Sequence, residues 1–180
     1  MQTHRLKAHP ASPPSRVTAV ETKAIGYDRD WLRVRWRVEG AQDLIVPPFA
    51  GRGRANDLWR TTCFEVFLRP EGDEAYSEFN LSPSERWAAY DFAGYRIGMS
   101  ERPASREPVC TMRIGSSFAI FDAAIPADLV PHSPCAANFA AVIEEEAGVR
   151  SFWALAHAAE KPDFHDPACF IAELAPPPSA

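Results

Sequence analysis

The chain predicts an all-β protein, an antiparallel, jelly-roll-like β-sandwich of roughly nine to eleven strands with little helix. Three observations lead there. Alternation of apolar and polar residues with period two runs through most of the 180 residues. Short clusters of Gly, Pro, Ser and Asp break the alternation at frequent intervals, as turns do. A helical pattern is confined to about one turn near 127–130.

Taken in chain order, residues 1–15 hold three prolines and little to bury, which predicts a flexible arm. A first strand is expected at 17–23. The clearest lies at 31–38, where Leu32, Val34, Trp36 and Val38 alternate with Trp31, Arg33, Arg35 and Arg37. That pattern is a half-buried antiparallel strand with an arginine stripe on its solvated face, a stripe that could also meet an acidic partner. The run 62–68 is apolar on both faces, with Phe64, Val66 and Leu68 on one side and Cys63, Glu65 and Phe67 on the other. Coverage on both faces places such a strand at the centre of its sheet. Strands at 75–81 and 87–92 follow across two short polar turns. Further strands are expected at 110–114, 117–125, 138–144, 151–156 and 170–174. The proline-rich tail 175–180 predicts disorder, leaving 16–174 as one domain.

Bulk properties exclude several classes of function. A formal net charge of -5 lacks the basic footprint that displaces counterions from phosphates, so no nucleic-acid partner is expected. No run approaches the ~20 apolar residues that span a bilayer, so no membrane is expected. The positive charges near the N-terminus have no apolar run behind them, which predicts a cytoplasmic protein. Cys63, Cys110, Cys135 and Cys169 are scattered without a CxxC pair, the usage of reduced, buried thiols.

The block 58–92 holds the strongest functional signal. Phe79 and Leu81 take the core face of their strand, leaving Tyr76, Glu78 and Asn80 opposite. Pairing with 62–68 would put these groups beside Glu65, with Trp59 just ahead of the first strand. A buried carboxyl on a sheet is costly without a partner, so Glu65 points either to an arginine such as Arg96 or Arg60 or to a ligand. Aromatic platforms beside carboxyl and amide groups suit sugars, whose C–H faces stack while hydroxyls find directed hydrogen bonds. Glu65 and Glu78 as a pair also admit glycoside hydrolysis. A second constellation, at 152–170, contains His157, Asp163, Phe164, His165 and Asp166. Its histidines admit a metal ion but lack a recognised ligand spacing.

Together the blocks resemble a known family. Trp59, Glu65, the YSEFNLSP run at 76–83 and the FHDPACF run at 164–170 occur in the order seen in DOMON-like domains, specifically the branch related to family-9 carbohydrate-binding modules. The resemblance spans most of 16–174 and implies a β-sandwich with a pocket on its concave sheet, without catalysis. It implies that Trp59 supplies one stacking ring and Glu65 the glutamate, with Asn80 as a further polar contact. Phe164 falls on the second ring, where the sugar binders carry tryptophan. Glu78, Trp87, Arg96, His157 and His165 would surround these four, whereas Ala140, Ala141 and Val142 offer only methyl groups where another contact is expected. The ligand so implied is a small molecule, a sugar or sugar derivative, with no cofactor or metal. Related domains bind haem through Met or His, which keeps a haem or metal carrier as an alternative beside a hydrolase using Glu65 and Glu78.

Overall fold

The computed structural model describes residues 2–176. The strands are β1 (Thr3–Arg5), β2 (Lys7–Ala8), β3 (Ala19–Tyr27), β4 (Trp31–Glu39), β5 (Gly53–Arg54), β6 (Cys63–Pro70) and β7 (Tyr76–Leu81). They continue as β8 (Arg86–Phe92), β9 (Ser100–Glu101), β10 (Val109–Ile114), β11 (Phe118–Pro126), β12 (Cys135–Glu145), β13 (Val149–Ala154) and β14 (Ala172–Leu174). Two sheets pack face to face. One runs β1-β3-β4-β11-β10; the other runs β2-β13-β12-β6-β7-β8-β5, with β14 also on β12 and β9 on β8. Every pairing is antiparallel except the short one between β5 and β8. The all-β sandwich expected from the alternation is therefore what the chain forms.

Side-chain parity places the core between the sheets. On β4, Leu32, Val34, Trp36 and Val38 are fully buried. They meet Phe64, Val66 and Leu68 of β6 and Phe121 of β11, with the Phe64 and Phe121 rings stacked at 4.2 Å. The outward arginines of β4 are spent within the chain. Arg35 forms a bidentate pair with Asp122, its direct cross-strand neighbour, at 2.6 and 2.9 Å. Arg33 binds Asp28, and Arg37 binds Glu39. The stripe is thus a self-neutralised solvated face rather than a free basic surface.

β6 is central, as its two-sided apolarity predicts. Its outer residues Cys63, Glu65 and Phe67 are as buried as its core residues. A second apolar cluster explains this: Phe67, Tyr76 and Phe92 on the outer face of the larger sheet pack against Phe164, Cys169 and Phe170 of a covering loop. All four cysteines are free and buried.

The expected flexible arm at 1–15 is corrected. Thr3–Arg5 pairs with β3 and Lys7–Ala8 with β13, so this segment is built into both sheets. Leu6 between them is 2% exposed and donates its N–H to the Val20 carbonyl at 2.8 Å. His9 is equally buried, accepting at Nδ1 from the Ala11 N–H and donating from Nε2 to the Ala159 carbonyl. These buried partners hold a segment that its prolines alone would leave loose. Most of the expected tail at 175–180 lies outside the described residues.

Candidate functional site

The outer face of the larger sheet carries a cleft of about 1060 Å³. Strand register builds its floor. In one row Ala140 of β12, Glu65 of β6, Asn80 of β7 and Ala88 of β8 stand side by side. In the next row stand Asn138, Phe67, Glu78 and Tyr90. Period-two geometry puts all of them on one face. The methyl group of Ala88 lines the cleft beside Asn80 and leaves depth above it, whereas Ala140 is covered within the apolar cluster under the loop.

Loops supply the walls. A 3₁₀ turn, Leu58–Arg60, presents Trp59, which is 45% exposed. From the other side comes the segment 162–170, anchored at several points. Asn138 Nδ2 donates to the Phe164 carbonyl at 3.0 Å, and the Asp166 carboxyl caps the Ala168 N–H at 2.8 Å. The Cys169 thiol donates to the Ala156 carbonyl at 3.0 Å. Phe164 packs its ring near Phe152 and Phe67 while also lining the cleft. Asp163 binds Arg96 through Oδ1 at 2.7 Å and accepts the Tyr95 hydroxyl at 2.5 Å, tying this loop to the hairpin after β8.

The electrostatics of the floor follow from burial. Asn80 Nδ2 donates to Glu78 Oε1 at 2.7 Å. Glu65 is 3% exposed, yet among the described residues it accepts no hydrogen bond and joins no ion pair. The two arginines expected as its partners are engaged elsewhere, Arg96 with Asp163 and Arg60 with Asp57. Burial pushes the Glu78 carboxyl up to about 7. It pushes Glu65 well above the carboxylate range, with the neighbouring Glu78 charge adding to the effect. His165 is driven down to about 4, first by burial and then by the nearby Arg96 cation, and so stands neutral at pH 7. The Tyr76 hydroxyl lies 2.7 Å from His165 Nδ1 and accepts the Arg96 backbone N–H at 3.3 Å. Donation from Tyr76 to Nδ1 leaves the imidazole hydrogen on Nε2, which faces Glu78 Oε2 at 3.8 Å.

Of the residues singled out from sequence, Trp59, Glu65, Glu78, Asn80, Arg96, Phe164 and His165 all line this cleft. Two do not. Trp87 is one residue out of phase with Ala88, so it faces the inter-sheet core, where the Arg54 guanidinium lies 4.3 Å from its ring centroid. His157 sits behind the wall, its Nε2 donating to the Lys7 carbonyl at 2.8 Å and its ring edge-on to His9. Tyr90, Phe92 and Phe152 line the cleft without having been singled out. Tyr90 and Phe92 share the parity of Ala88, the signal that would have found them. Among the described residues no cluster of three or more His, Cys, Asp or Glu is arranged to hold a metal ion. No helix is long and apolar enough to cross a membrane.

No protein-family model matches the chain, and no curated protein matches it. Two solved chains match. One is a Bacteroides uniformis protein provisionally assigned to carbohydrate binding. It is 16% identical, with a TM-score of 0.61, over 94% of this chain and 84% of that one. Agreement at that identity shows a common fold.

Proposed function

We propose that this protein is a non-catalytic binding module that holds a sugar or sugar derivative in the cleft over β6, β7 and β8. The observation that carries the reading is Glu65, a carboxyl that lines the cleft floor and takes no hydrogen bond from another group among the described residues. Such a group is open to a ligand that donates hydrogen bonds to it. Around it, Asn80 and Glu78 supply further polar contacts, while Trp59 and Phe164 supply ring faces for stacking. The Trp59–Glu65 spacing and the 76–83 run support a DOMON-like domain related to family-9 carbohydrate-binding modules. The fold shared with the Bacteroides protein supports carbohydrate binding more generally. Trp59→Ala removes a half-exposed ring that packs no core. The variant is expected to lose glycan-array retention while its thermal unfolding stays unchanged, and retained binding would refute the pocket assignment.

One observation favours a second reading. Glu78, held near 7, is a carboxylic acid able to donate a proton at neutral pH, as a glycosidase acid does. Against it, Glu65 and Glu78 lie on adjacent strands of one floor rather than flanking a bound bond. Incubation with a panel of chromogenic glycosides separates the readings: turnover lost in Glu78→Gln supports hydrolysis, and its absence supports binding alone.

A further inference from the structure

We infer that the ligand is an amine-bearing sugar, bound with its ammonium group against Glu65 and Glu78. This rests on the sugar-binding reading above and narrows it to one chemical class.

The charges lining the cleft are lopsided. Asp57, Glu65, Glu78 and Glu101 contribute carboxyls, and Arg96 is the lining arginine. Arg96 is committed to Asp163 through Nη2 at 2.7 Å, so its guanidinium is held in the wall and reaches the floor carboxyls only through its field. Asp57 is offset at the rim by Arg60, 3.5 Å away. His165 is kept uncharged by burial. At the bottom Glu65 and Glu78 have, among the described residues, no Lys or Arg in ion-pair contact, only the more distant field of Arg96.

Hydrogen-bonding capacity is lopsided in the same sense. Asn80 directs its Nδ2 to Glu78, and the Tyr90 hydroxyl donates to Asn56 Oδ1 at 2.6 Å. Once both carboxyls are ionised by a bound cation, the floor presents acceptors, namely both oxygens of Glu65 and the second oxygen of Glu78. A group with several donors on one atom answers this arrangement best, and an ammonium has three. A cation also removes the penalty of burying two neighbouring carboxyls, which at present drives both toward protonation. Ring faces of Tyr90, Phe92 and Trp59 line the same space and attract positive charge as well as C–H faces. An acidic sugar would set a third carboxylate against two, and an N-acetylated one would bring an apolar methyl in place of the charge.

The test is isothermal titration at pH 7.5 with glucosamine, N-acetylglucosamine, glucose and their β-1,4-linked dimers, repeated with galacto- and manno-configured sets. These series share a ring and differ only at C2. The free amine is expected to bind at least about tenfold tighter than its acetylated and hydroxyl counterparts, the scale of a close charge pair. That gap should collapse in Glu65→Gln and in Glu78→Gln, either of which serves if the other does not fold. Equal or tighter binding of the hydroxyl or N-acetyl sugars overturns the amine assignment and leaves the sugar reading standing. Binding of none of these sugars overturns both.

Discussion

Glu145 shows how much one side chain organises here. It is 1% exposed, and its carboxyl accepts the backbone N–H groups of Ser15, Arg16 and Val17 at 2.8, 2.5 and 3.0 Å. Glu145→Ala strands three donors where water has little access. It should lower stability by about 1–3 kcal/mol in urea unfolding, with Glu145→Gln milder because one acceptor survives. A change smaller than the scatter would mean that solvent replaces the carboxyl. At this scale the sequence was legible where a residue's type conflicts with its surroundings: Glu65, Glu78 and Asn80 are polar groups on strands otherwise closed by aromatics. It misled where only phase separates neighbours. Trp87 is the larger and more conspicuous ring, yet Ala88 faces the cleft because β8 pairs Trp87 with Leu81 and Ala88 with Asn80. Of Ala140, Ala141 and Val142, read as offering only methyl groups, Val142 lines the cleft, and Ala88 beside Asn80 keeps it deep.

At the scale of elements, the nine longer strands were readable because each runs six residues or more, enough for alternation to repeat. β1, β2, β5 and β9 were not, since two or three residues carry no period. Their stability comes from distant partners, as when Lys7 pairs with Ala154. This yields a prediction about the N-terminal segment. Leu6 anchors the crossing between the two sheets, so Leu6→Ala should cost ~2–5 kcal/mol, the range for emptying a leucine site in a core. Deleting residues 2–9 should cost more and expose the edge of β13. Full retention of the unfolding midpoint in either variant would show that these strands only decorate the sheets. The loop 162–170 was legible as chemistry but not as structure. His165, Asp163, Asp166 and Phe164 drew attention to it, whereas its anchoring by Asn138 required knowing that Asn138 and Phe67 are cross-strand neighbours.

For the whole molecule, the buried acids and the buried imidazole tilt stability in opposite directions. Unfolded, Glu78 titrates near 4.5; folded, it is pushed up to about 7. Between those values the folded chain keeps a proton that the unfolded chain has lost, so stability falls as pH rises through the window. Glu65 acts in the same direction. His165, moved from 6.5 down to about 4, works the other way and adds stability as pH rises from about 4 to 6.5. The double variant Glu65→Gln/Glu78→Gln retains only the histidine trend. Its stability relative to the parent should therefore grow steadily between pH 4.5 and 7 in urea titrations, and parallel profiles would refute the protonated pair. The order of the elements along the chain adds a consequence in time. The strands that carry the acids, β6 and β7, are synthesised long before residues 162–170, which roof them. The cleft therefore gains its last wall only when residues 162–170 dock through Asn138, Asp163 and Cys169, so the site is the last part of the sandwich to be completed as the chain emerges.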